Sequence, residues 1–80
     1  MADYKDFELE VKAFERYVKS KRLEQYEIYC NASELCKEGE RQKLVALNNI
    51  NTSPQTKEEL DYLTLIVQDI VELDASKIKI

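Results

Sequence analysis

Apolar residues near the start of the chain recur at helical spacing. Five of them follow one another at intervals of three or four: Tyr4, Phe7, Val11, Phe14 and Val18. This spacing places them on one face of an α-helix. A competing strand over residues 7–11 would alternate apolar and acidic residues, but the alternation stops at Ala13. The pattern therefore predicts a helix over residues 3–20.

Basic residues then interrupt this apolar stripe. Lys21 and Arg22 stand where its next apolar residues should fall, so we expect a bend near residues 20–23. The apolar residues of 23–35 fit either a short strand or a helix. We interpret residues 23–38 as a second helix.

The middle of the chain carries two further signals. The segment Asn31–Glu34 has the spacing of a capping box, so a new helix could also open there. Gly39 costs about 1 kcal/mol relative to Ala in a helix interior and predicts a loose point or a break. A third helix is then expected over 40–50, followed by a polar loop that ends at Pro54.

The last helix is the most clearly marked. Thr56 and Glu59 match a capping box, which predicts a helix over 57–73 with a tail at 75–80 that is either frayed or paired as a short edge. Its apolar face is wide enough for the centre of a bundle or for a dimer interface. Six residues form this predicted interface: Leu60, Leu63, Ile66, Val67, Ile70 and Leu73.

Composition restricts the fold. One Gly and one Pro in 80 residues are too few for the turns of a β-sandwich or barrel, and there is no Gly-rich phosphate loop. The sequence predicts a single all-α domain, a small bundle of three or four helices. Because so short a chain has a small core, we expect it to form a homo-oligomer, with a dimer favoured.

The sequence contains no recognisable set of catalytic residues. The chain has no His, and its carboxylate pairs do not form the Glu-x-x-His pattern of di-iron bundles. We therefore expect no enzyme activity, no metal and no cofactor. Cys30 and Cys36 are interpreted as inert thiols, while an intermolecular disulfide, a redox switch or a shared metal site stays open.

The first residues and the hydropathy of the chain predict where in the cell it is found. The chain starts with an acidic, polar segment and has no apolar run of membrane-spanning length. We expect a cytoplasmic protein that does not enter the membrane.

A basic patch is the candidate for nucleic-acid binding. It lies within residues 12–22 and has five members: Lys12, Arg16, Lys19, Lys21 and Arg22. The competing interpretation is a helix end that carries the charges its dipole favours, or a partner for the acidic last helix. We expect Lys19, Lys21 and Arg22 to project into solvent and to add little to the core.

The stretch from Gln42 onward resembles a known family. Gln42–Ile50, then Thr56–Val67 with its Thr-x-x-Glu-Leu-Asp start, is similar to the helical lead-in of HigA-type antitoxins, and the resemblance covers residues 42–80. In that family a helix-turn-helix domain follows, and the chain ends where it would begin. The resemblance implies a partner-binding helical segment, or a stand-alone inhibitor that kept one.

The expected function is binding. The sequence favours a small non-enzymatic helical regulator or inhibitor, antitoxin-like or phage-encoded, that binds and masks a macromolecular partner, with a protein as that partner. One alternative is a helical nucleic-acid-binding protein that uses the basic patch. Another is an oligomeric bundle that sequesters a small ligand between subunits.

Overall fold

Helices make up most of the chain. The computed structural model describes the backbone of residues 2–78 and the side chains of residues 6–78. The described part contains three α-helices and one 3₁₀-helix, in the order α1 (Ala2–Asn31), α2 (Glu34–Asn48), α3 (Lys57–Glu72) and Ala75–Lys77. The predicted all-α class is confirmed for these residues, which contain no strand. Residues 79–80 of the predicted tail lie outside them.

Helix α1 is continuous, so the predicted bend at 20–23 is wrong. Its buried face changes in character without a break: Phe14 and Val18 are apolar, whereas Gln25 is polar and only 4% exposed. Gln25 Nε2 donates to the backbone oxygen and to Oε1 of Glu40, both at 2.9 Å. Polar contacts with α2 therefore take the place of the apolar stripe.

The predicted second helix, 23–38, does not exist as a unit. Its first part belongs to α1, and the chain turns at Ala32 and Ser33. Helix α2 begins at Glu34, inside the segment with capping-box spacing. Ser33 occupies the N-cap position, although its side chain makes no capping hydrogen bond.

Gly39 does not break α2, contrary to the sequence prediction. The backbone of Ala75 packs directly on this glycine, and a Cβ at position 39 would collide with the Ala75 carbonyl oxygen. Both residues are buried. Gly39 therefore provides room for the C-terminal segment to lie across α2, which is why a residue of poor helix propensity stands in a helix interior.

Helix α3 begins where the capping box predicts. The Thr56 side chain accepts a hydrogen bond from the Glu59 backbone N–H at 3.1 Å. The Glu59 side chain accepts from the Gln55 N–H at 3.3 Å, one residue before the expected Thr56 N–H. The helix ends at Glu72, one residue earlier than predicted.

The three helices enclose a small core. Lys57, the first residue of α3, pairs with Glu10 of α1, and the last turn of α3 reaches Lys43 of α2. Helix α3 thus runs in the direction of α1 and antiparallel to α2. Five buried side chains fill the centre: Phe14, Val18, Leu47, Leu60 and Val67. The resulting body is elongated, 52 × 20 × 15 Å.

Candidate binding surface on helix α3

The fold buries some residues of the predicted α3 interface and leaves others exposed. Leu60 and Val67 are buried in the core of the chain itself, and Leu63 and Ile70 are partly buried against that core. A subunit interface could use Leu60 and Val67 only if the monomer opened. Leu63 and Ile70, in contrast, keep part of their surface accessible. An apolar stripe in a sequence does not state whether its partner helix belongs to the same chain.

Apolar residues nevertheless remain on the outer side of α3. Two predicted interface residues face that way: Ile66 is partly buried, and Leu73 is 50% exposed. Beside them lie Tyr62, 64% exposed, and Leu65, 58% exposed, neither of which belongs to the predicted interface. Intervals of three, four and eleven residues from Tyr62 place these side chains on one helix face. We name Tyr62, Leu65, Ile66 and Leu73 the α3 outer patch.

Carboxylates border this patch. Four of them are exposed and form what we call the acidic rim: Glu58, Asp61, Asp69 and Glu72. No basic residue occurs from Glu58 to Asp74. Lys57, just before them, lies 3.0 Å from Glu10 and 3.6 Å from Asp61. The hydrogen bond with Glu10, together with the Asp61 charge, raises the pKa of Lys57.

The basic patch on α1 is split by its contacts. Lys12, Arg16 and Lys19 are exposed, and Lys19 pairs with Glu15 at 3.0 Å. Lys21 pairs with Glu24 at 3.2 Å, and its ammonium lies 5.7 Å from the centre of the Tyr17 ring. The patch is therefore not a uniform surface of unpaired cations.

Arg22 corrects the expectation that this end of the patch projects into solvent. Its Nε donates to the Leu47 carbonyl oxygen at 3.0 Å, and Nη2 donates to the Ile50 and Asn48 oxygens at 3.2 and 3.5 Å. These carbonyl groups are at the C-terminal end of α2, where a cation is favourable. Arg22 is therefore a structural residue that holds α2 on α1.

Lys43 plays the equivalent role for α3. Although 7% exposed, it donates from Nζ to the Val71 and Leu73 oxygens at 3.1 and 2.8 Å. The sequence carried one signal for both contacts: neither α2 nor α3 has a basic residue in its own last turn. The partial negative charge at the C-terminal end of α2, and likewise of α3, is compensated by a cation from the preceding helix.

Open surface grooves accompany these features, among them one of about 490 Å³ beside Phe7, Lys12 and Pro54. One of about 380 Å³ lies between α1 and α3, beside Tyr17 and Thr64. Another of about 640 Å³ lies at the α1–α2 turn, beside Ile28 and Cys36, and one of about 400 Å³ lies beside Leu23.

The thiols and carboxylates of residues 6–78 do not assemble into a metal site. Cys30 is an exposed free thiol, and Cys36 is a partly buried one. A hydrogen bond with Cys30 raises the pKa of Tyr26. Within the described residues, no group of three or more Cys, Asp or Glu side chains is placed to hold a metal ion. No helix of that part of the chain combines the length and the apolar character needed to cross a bilayer.

The chain was also compared with known proteins. No family model, curated protein or solved structure matches it. The resemblance of residues 42–80 to the lead-in of HigA-type antitoxins stays a prediction.

Proposed function

We propose that this chain is a non-enzymatic, cytoplasmic helical regulator or inhibitor that binds a protein partner through the α3 outer patch and masks it. The observation that carries the proposal is the exposure of Tyr62, Leu65 and Leu73 on one side of a helix whose other side fills the core. Isolated apolar residues are common on protein surfaces. Adjacent ones on a rigid helix, rimmed by polar residues, are typical of an interaction site.

The residue types support a protein partner. Tyr is enriched at interfaces because its ring is apolar and its hydroxyl tolerates water. The well-packed residues on the inner side of α3, Leu60 and Val67, hold the patch on a fixed scaffold. A preorganised surface loses less conformational freedom on binding than a loop does.

The HigA-like stretch supports the same helix. Residues 42–80 include all of α3 and the second half of α2. On this reading, α3 is the partner-binding segment of an antitoxin-like or phage-encoded inhibitor.

The test compares two matched double variants. Tyr62→Ser with Leu65→Ser removes the centre of the α3 outer patch, whereas Leu35→Ser with Val45→Ser removes exposed apolar residues from α2. Tagged proteins are used to recover partners from the source organism, and the affinity for the purified partner is then measured. We expect the α3 variant to bind at least tenfold more weakly, which is about 1.4 kcal/mol, and the α2 variant to bind as the wild type does. Equal binding by both variants would contradict the proposal.

Nucleic-acid binding is the second candidate. Lys12, Arg16 and Lys19 support it because all three are exposed on α1. The hydrogen bonds of Arg22 weaken it, since that guanidinium is committed to α2. Retention on DNA at about 150 mM salt, lost in Lys12→Glu with Arg16→Glu, would reverse the ranking.

A further inference from the structure

We propose that a second copy of this chain docks on the α3 outer patch and its acidic rim, using an exposed basic stripe on its own α1. This α1 basic stripe consists of Leu9, Lys12, Arg16, Lys19 and Leu23. Leu9 is 64% exposed and Leu23 is 69% exposed, so apolar residues stand at both ends of the cations. The stripe is thus an amphipathic surface of opposite charge to α3.

The two surfaces retain their charges in the folded chain. Among the side chains that the structure describes, Lys12 and Arg16 form no salt bridge, and neither do Glu58, Asp69 and Glu72. Opposite charges left uncompensated on two surfaces favour their association and determine its orientation.

The surfaces cannot meet within one chain. Lys12 and Arg16 stand two residues to either side of Phe14, and Leu65 and Asp69 stand two residues to either side of Val67. Two residues correspond to a rotation of about 200° around a helix, so each surface faces away from the buried residue that it flanks. A second molecule is required to bring them together.

The spacing selects an antiparallel arrangement. Arg16 and Leu23 are seven residues apart on α1, and so are Asp69 and Tyr62 on α3. Seven residues span about 10.5 Å, and both pairs lie on one helix face. When Arg16 is placed against Asp69 of the second copy, Leu23 meets Tyr62 and Lys12 comes next to Glu72. With Arg16 kept against Asp69, the parallel arrangement instead places Leu23 against Ser76, beyond the end of α3.

Charge also excludes the symmetric pairings. If the α1 basic stripes of two molecules met, the cations Lys12 and Arg16 of one would face those of the other. If two α3 outer patches met, the two acidic rims would face each other. The favoured contact is therefore heterologous, and each pair of molecules keeps one free α1 stripe and one free α3 patch. Such association does not stop at the dimer expected from the sequence but continues with rising concentration.

Charge exchange between the two surfaces provides the test. Variant one, Asp69→Lys with Glu72→Lys, places cations at the contact positions of both surfaces, and variant two, Lys12→Glu with Arg16→Glu, places carboxylates at the contact positions of both. All four positions are exposed, so circular dichroism should show folded proteins. Sedimentation should show each variant alone as a 9.4 kDa monomer at about 100 μM and low salt, where charge contacts are least screened.

An equimolar mixture of the two variants should associate again, since each surface of one then meets an opposite surface of the other. Wild-type protein should associate under the same conditions and dissociate at about 500 mM salt. A control, Glu34→Lys with Glu38→Lys, makes the same charge change at solvent-accessible side chains of α2, outside both surfaces, and should associate as the wild type does. A monomeric wild type, variants that associate alone, or a mixture that stays monomeric would each overturn the proposal.

Discussion

Arg22 and Leu47 connect two helices through one hydrogen bond, from the Arg22 Nε to the Leu47 carbonyl oxygen at 3.0 Å. Lys43 of α2 then holds the Leu73 carbonyl oxygen at 2.8 Å, at the end of α3. A cation from α1 thus stabilises the end of α2, and a cation from α2 stabilises the end of α3. Among the described residues, these contacts supplement a core cluster of five buried apolar side chains.

Removal of the Arg22 side chain should therefore destabilise the fold. Arg22→Ala deletes three hydrogen bonds to carbonyl oxygens, and we expect the free energy of unfolding to fall by about 1–3 kcal/mol. Arg16→Ala is the matched control, since Arg16 is exposed, and it should change stability by less than about 0.5 kcal/mol. Urea unfolding followed by circular dichroism measures both. Equal stability of the two variants would contradict the role of Arg22.

Gly39→Ala should reverse the usual effect of that substitution. Within a helix, Ala is favoured over Gly by about 0.8–1.0 kcal/mol. At position 39 the added Cβ meets the Ala75 backbone, so we expect a net loss of stability and faster hydrogen exchange at residues 75–78. Glu38→Ala is a neighbouring control on the same helix. An increase in stability for Gly39→Ala would show that the C-terminal segment does not pack there.

The two sides of α3 should respond differently to the same charge. Val67 is fully buried, so Val67→Asp places an unpaired carboxylate in the core, costs several kcal/mol and should unfold the chain. Leu65→Asp changes a residue that is 58% exposed and should leave helical circular dichroism and melting temperature close to those of the wild type. The same Leu65 variant should lose the protein partner. Unfolding by Leu65→Asp would contradict the assignment of the outer side.

Asp74 should make the C-terminal segment sensitive to acid. Its carboxylate accepts hydrogen bonds from the Ser76 side chain and backbone N–H, and these bonds lower the pKa of Asp74 below its ordinary value of 3.8. Because the folded state favours the ionised form, this stabilisation is complete above pH 3.8 and is lost as the pH falls through the folded-state pKa. The Ser76 amide shift in NMR should titrate with a midpoint below 3.8, and Asp74→Asn should remove that titration. A midpoint at or above the ordinary value would contradict the cap.

Local rules predicted the parts of the fold that depend on neighbouring residues. The apolar stripe of α1 and the start of α3 after Thr56 follow from spacing and capping alone. The absent bend at 20–23 and the unbroken helix at Gly39 could not be predicted in this way. Arg22 and Gly39 take their roles from α2 and Ala75, which are distant in sequence.

The residues of the proposed α3 surface could be predicted only in part, for a related reason. A hydrophobic seam locates the residues of α3 that need a partner, but the partner of Leu60 and Val67 is the chain's own core. Tyr62 and Leu65 could be recognised only after the buried side of α3 was known, since their exposure distinguishes them.

Site-specific photocrosslinking tests the central claim most directly. A photoreactive phenylalanine analogue is introduced at position 65 on the α3 outer patch or at position 45, where Val45 is 41% exposed on α2. The variants are irradiated in cells of the source organism. We predict that position 65 crosslinks to one protein partner in addition to any crosslink to a second copy of the chain, that Tyr62→Ser weakens the partner crosslink, and that position 45 does not form it. Capture of the partner from position 45 with none from position 65 would show that α3 is not the binding surface.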